Sequence, residues 1–172
     1  RDYPFCLHAR YETQRAILGD VVAALHLQCI RKLIIVNGHG GNSFKNMIRD
    51  LSVDFPDFLI AITNWYGIVP QEGYFENKDD HAGELETSVM MYYHPELVNL
   101  EEAGEGTSKP FALSSLNAQI AWLPRYWSKV SADTGIGDPR KSTPEKGERY
   151  AKAVIEKLAL LFTEIGSKEV YL

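Results

Sequence analysis

The chain has 172 residues, of which 45% are hydrophobic and 24% charged, with a net charge of −5. That mix belongs to a folded globular protein long enough to bury a core without disulfides, and it excludes global disorder. No long basic run and no bilayer-length apolar run occur, so neither nucleic acid nor a membrane is an expected partner. Two cysteines, Cys6 and Cys29, are too few for a disulfide scaffold and predict a reducing, cytoplasmic setting.

Residues 12–27 read as a helix whose buried stripe is predicted to be Ile17, Val21, Ala24 and Leu25. Residues 32–36 are short, apolar and β-branched, the pattern of a strand covered on both faces in a parallel sheet. After a glycine-rich break, residues 43–55 predict a second helix with Phe44, Met47, Ile48 and Leu51 on one face. Residues 58–63 predict a second strand, completing a βαβ unit with a right-handed crossover. Residues 65–80 form a polar and aromatic loop, and residues 84–93 a short helix ended by His94-Pro95. Residues 95–139 carry little period and read as loop, with one strand near residues 120–123. The last helix has Thr143 as cap, Pro144 at its first position and Glu145 in its first turn. Its predicted stripe is Ala151, Val154, Leu158, Leu161 and Ile165, and Gly166 is its expected end. The predicted class is α/β with a mostly parallel sheet, in one domain over residues 1–172.

Two runs carry chemistry. The first, Asn37-Gly38-His39-Gly40-Gly41-Asn42, follows the first strand, where open α/β sheets place ligands. A nucleotide turn is one reading, but Ser43 stands where a third glycine belongs and no Lys-Ser/Thr follows. A tight structural turn is another. The third is a catalytic loop presenting His39 as a metal ligand or acid–base group. The second run spans residues 78–88 and includes Asp79, Asp80, His81, Glu84 and Glu86. A solvated helix start accounts for Glu84. Glu86 shares a helical face with Val89, Met90 and Tyr93, predicted to be buried, where a carboxylate needs a metal or a protonated His. His81 precedes the helix, a place for a general base oriented by Asp80 or another carboxylate.

Together these runs resemble the creatininase (creatinine amidohydrolase) family. The likeness rests on the glycine turn, on His81-Ala82-Gly83-Glu84-Leu85-Glu86-Thr87-Ser88, and on Gly135-Ile136-Gly137-Asp138-Pro139 before the last helix, in that order. The resemblance implies a three-layer α/β fold, hexameric assembly, and hydrolysis of C–N amide bonds of small molecules at a divalent metal, Zn or Mn, with Fe also suited. It implies His39 and Glu86 at the metal, His81 as the proton carrier with Asp80 beside it, and Gly40, Gly41, Asn42 and Trp65 lining the substrate. For Trp65 and Tyr66, ordinary packing is the competing reading. Creatininase itself has a Glu ligand where this chain has Gly41, which points to another branch of the family. The family's N-terminal Glu-x-His and Asp ligands have no counterpart here, and position 1 is Arg. The expectation is therefore the C-terminal two-thirds of a larger domain. The alternative is a non-catalytic member serving assembly or small-molecule binding.

Overall fold

Helical spacing of Leu18, Val22 and Leu25 builds α1 (Tyr11–Leu27) in the computed structural model, which describes residues 3–4, 6–77 and 80–171. The chain divides into two compact units, residues 8–70 with 154–172, and residues 1–7 with 71–153. In the first unit α1 leads to β1 (Lys32–Asn37), α2 (Lys45–Asp54) and β2 (Leu59–Asn64). β1 and β2 pair in parallel, with Lys32 opposite Leu59 and Asn37 opposite Asn64. The α/β class and the βαβ order are those the sequence predicts.

The core of this unit is Val22, Leu51, Phe58 and Ile60, with Leu18, Leu25, Leu33 and Ile48 packed against it. Each large apolar side chain buried there stabilises by about 1.5–3 kcal/mol. Polar contacts fix the angle between the two helices. Tyr11 donates to Asp50 at 2.6 Å and Arg15 meets Asp54 at 2.6 Å. The α2 face is the predicted one, with Met47 and Leu51 buried. The α1 face is not. Of the predicted stripe only Leu25 packs inward, while Ile17, Val21 and Ala24 are exposed. The helix has two apolar faces, and its period alone cannot say which one meets the sheet. Burial of the strands on both faces is also incomplete. Val36 is exposed on the face of a sheet that has two strands among the described residues.

The second unit is mostly loop around two helices. α3 (Glu84–Tyr93) has the predicted bounds. α4 (Ser114–Asn117) and α5 (Trp127–Val130) are single turns. The strand expected near residues 120–123 is absent: Ile120 and Trp122 are exposed, and Pro124 follows with no amide hydrogen to donate. α6 (Pro144–Ser167) contributes its first turns to this unit and the remainder to the other. Thr143 caps it, accepting from the Lys146 amide at 3.2 Å. Ala151 and Val154 are buried and Leu158, Leu161 and Ile165 half-buried, as their spacing predicts. Gly166 lies within the last turn rather than ending it. Gly147 lets α6 touch α3, since a Cβ there would stand 1.9 Å from the Ser88 carbonyl oxygen.

Candidate functional site

The glycine turn is built from its own short polar side chains. Asn37 ends β1 at 3% exposure, so each of its amide atoms needs a bond. Its Nδ2 donates to the His39 carbonyl at 2.9 Å and to Asn64 Oδ1 at 2.8 Å. Its Oδ1 accepts from the His39 amide at 3.2 Å and from Asn42 Nδ2 at 3.0 Å. The turn is thereby tied to the end of β2. Trp65, in the 3-10 turn Trp65–Gly67, adds a bond from Nε1 to the Gly38 carbonyl at 3.3 Å. The structure thus brings His39, Gly41, Asn42 and Trp65 into one hydrogen-bonded turn.

His39 itself is exposed. The Gly41 amide donates to its Nδ1 at 3.0 Å, so that nitrogen is an acceptor and the neutral ring carries its hydrogen on Nε2. A Cβ on Gly41 would lie 2.9 Å from His39 Cε1. Glycine at position 41 is therefore what lets the imidazole lie over the turn. Gly40 faces the Tyr66 hydroxyl, which a Cβ would meet at an ordinary 3.6 Å.

The His81 turn, in the other unit, is clasped by α3. Ala82 takes a left-handed φ of 52°, a conformation that costs a side-chain-bearing residue roughly 1 kcal/mol. Glu86 Oε2 accepts its amide at 2.6 Å, and Thr87 Oγ1 donates to its carbonyl at 3.3 Å. The four- and five-residue spacing from Ala82 to Glu86 and Thr87 makes both contacts possible. His81 pairs with Ile136 as an antiparallel bridge, donating at 3.0 Å and accepting at 2.8 Å. Its ring lies 5.0 Å from the Trp127 ring, and its Nδ1 is 3.9 Å from Glu86 Oε2. At that distance Glu86 acts on His81 through charge rather than a hydrogen bond.

Two features differ from the sequence expectation, the exposed face of α3 and the buried Glu84, and one selects between the carboxylates it left open. Met90 and Tyr93 are exposed, so the Glu86 face of α3 is not apolar core, and the carboxylate needs no metal to justify its position. The Asp80 carboxylate is turned to Arg125, leaving Glu86 as the acid facing His81 Nδ1. Glu84 is not at a solvated helix start. It is wholly buried, and its carboxylate accepts from the Glu76 and Asn77 amides at 3.0 and 2.8 Å and from Lys146 Nζ at 2.6 Å. That contact raises the Lys146 pKa. The loop leading to Asp80 is anchored through this buried pair. Lys78 and Asp79 lie outside the described residues.

Ile136, Trp127 and Arg125 join the His81 turn without having been among the expected site residues. The first had a signal, the glycine pair around it. Gly137 donates to the Gly106 carbonyl at 2.9 Å, and Gly106 has a φ of 59° and no room for a Cβ. Asp138 follows, its carboxyl held down to about 2 by Arg140 hydrogen bonds. Trp127 and Arg125 are more than 40 residues from His81 in the chain and carried no local signal.

Among the described residues, no three His, Cys, Asp or Glu side chains gather closely enough to hold a metal ion. Imidazole and carboxylate suit a divalent ion in type. In number they fall short of the roughly three protein ligands a catalytic zinc takes.

A family model described as creatinine amidohydrolase matches residues 1–162. A crystal structure from Bacteroides fragilis, of a protein provisionally named a creatinine amidohydrolase, is 61% identical with a TM-score of 0.96. It is covered over 68% of its length by 100% of this chain. A mycofactocin precursor peptide peptidase of Mycobacterium ulcerans is 30% identical over 129 residues, 73% of this chain and 45% of the relative. A creatininase structure designated by its Mn shares the fold at 19% identity, with a TM-score of 0.72 over 94% of this chain and 66% of its own. The chain thus spans under half the length of the curated peptidase it matches.

Proposed function

The chain belongs to the creatininase family, and on that footing we propose that it hydrolyses a non-peptide C–N amide bond of a small molecule. The observation that carries this reading is the clasped His81 turn. An imidazole is fixed by its backbone bridge to Ile136, by the Trp127 ring and by the Glu86 charge. A positioned imidazole moves protons at neutral pH. In the proposed reaction His81 takes a proton from the attacking water as oxygen bonds to the carbonyl carbon. It then returns that proton to the nitrogen as the C–N bond breaks. The products are a carboxylic acid and an amine. Glu86 lies where a carboxylate meets the charge the ring acquires. Asp80 and its Arg125 pair border the same turn.

We assign to His39, whose Nδ1 would exchange the Gly41 amide for the ion, and to Glu86, each within its own unit, the role of donor to a divalent ion, Zn or Mn, with Fe equally suited to these ligand types. Gly40, Gly41, Asn42 and Trp65 are assigned to substrate contact. One such donor in a unit does not complete a catalytic metal site, and the proton transfers are carried by His81. A homo-oligomer, hexameric by family resemblance, and a cytoplasmic location complete the reading. Among the described residues no helix is long and apolar enough to cross a membrane.

The test is hydrolysis by the purified protein, with Mn or Zn added, of creatinine, followed as ring opening to creatine, and of formanilide and a short peptide, followed as amine release. Ring opening of creatinine or amine release from formanilide supports the reading. Release from the peptide alone moves the activity to peptide bonds, and hydrolysis of none removes the hydrolase reading. The lack of a three-ligand cluster among the described residues favours one other reading, a family member that binds small molecules or serves assembly without catalysis.

A further inference from the structure

Between Glu105 and Asp133 the chain carries Lys109, Arg125 and Lys129 and no Asp or Glu, although its net charge is −5. Phe111, Trp122, Tyr126 and Trp127 fall in the same stretch. This acid-free, aromatic segment is the one that reaches His81. The Arg125 guanidinium lies over the Trp127 ring, 4.8 Å from its centroid, and the His81 imidazole lies 5.0 Å from the same ring. Pro124 and Tyr126, on either side of Arg125 in the chain, line a groove of about 260 Å³ together with Lys109 and Lys129. Lys129 Nζ stands 5.3 Å from the Tyr126 ring centroid.

We propose that Arg125 is a specificity-determining residue of the His81 site, and that the substrate is an amide bearing an oxyanion, carboxylate or phosphate, on the side that meets the guanidinium. A guanidinium presents five N–H donors in a planar fork that matches such groups two bonds at a time. One terminal nitrogen of Arg125 is given to Asp80. Nε and the other terminal nitrogen make no hydrogen bond among the described residues, and they form the edge that an oxyanion takes. Asp80 does not block this, because its carboxylate is 52% exposed and exposed ion pairs rearrange at a cost of about 1 kcal/mol or less. The cation–π contact with Trp127 helps to hold the guanidinium in place. The flat face beside His81 suits an aromatic or conjugated amide. The proposal rests on the reading of His81 as the proton carrier.

The experiment compares three formamides by calorimetric binding and by amine release: neutral formanilide, 4-formamidobenzoate and 4-formamidophenyl phosphate. Both anions are expected to bind at least tenfold more tightly than formanilide. Arg125→Gln is expected to abolish that preference, and Arg125→Lys to keep part of it. The tighter anion identifies carboxylate or phosphate as the source. Equal binding of neutral and charged amides, or a preference that survives Arg125→Gln in a variant with unchanged thermal melting, overturns the proposal. Binding and turnover separate the two readings. Anions held through Arg125 but not cleaved keep Arg125 as the oxyanion-binding residue and remove the hydrolase, and with it the claim about a substrate. All three cleaved alike and bound alike do the reverse.

Discussion

The glycine turn and the His81 turn solve the same problem, fixing one imidazole, by opposite means. At residues 37–42 the bonds are local. Asn37 reaches His39 and Asn42 within its own turn, and Asn64 and Trp65 join from the next strand end. At His81 the fixing groups come from far along the chain. Ile136 bridges its backbone, Trp127 packs its ring, and Lys146 secures the buried Glu84 beneath its loop. A turn closed by neighbours persists wherever its strand persists. A turn closed by remote groups depends on how a whole unit packs.

Breaking the remote set has the largest expected effect. Lys146→Met leaves the Glu84 carboxylate buried with only its two backbone donors. Unpairing a buried charge destabilises by about 3 kcal/mol. Chemical denaturation should show that loss, and amide exchange at Glu76 and Asn77 should rise with it. Unchanged stability would mean that the pair does not hold the loop. On the local side, Asn37→Ala strips four hydrogen bonds from the glycine turn in exchange for a small cavity. A loss of about 2 kcal/mol is expected, since the orphaned backbone groups can turn to water. If Asn37→Ala costs more than Lys146→Met, the contrast between the two turns is wrong.

The smallest effect is one of pH. Asp138 titrates near 2 against an ordinary 3.8 because Arg140 donates to it. A depressed carboxyl pKa contributes stability above the ordinary value, and that contribution fades as pH falls from about 4 to about 2. Solvent screens this exposed pair, so the contribution is small. Asp138→Asn should lower stability slightly at pH 7 and flatten its loss across that window. An unchanged acid limb in denaturation curves would show that the pair contributes nothing there.

The same division decides what could be read from the sequence. The βαβ unit, the bounds of α3, the cap and stripe of α6 and the glycine turn all follow from residues a few positions apart. The α1 face did not, because Ile17 and Leu18 each begin an apolar stripe and only tertiary packing selects between them. The burial of Glu84 was hidden for a similar reason. A carboxylate in the first turn of a helix has a sufficient local explanation, and its buried partner stands 62 residues away. Arg125 and Trp127 beside His81 were invisible because nothing in their spacing points to it. His81, Glu86 and Asp80 were legible as a group of acids around one His. Which acid faces the ring needed the Arg125 contact to decide.

His81 as the proton carrier is the claim on which the rest depends. The direct measurement is the amide-hydrolysis rate of His81→Ala beside the unaltered protein, with bound metal assayed in both. Loss of a general acid–base group predicts a fall of roughly 10²–10⁴-fold in kcat at unchanged metal content. A His81→Ala protein that keeps its rate would contradict the claim, and one that loses its metal together with its rate would place His81 at the ion instead.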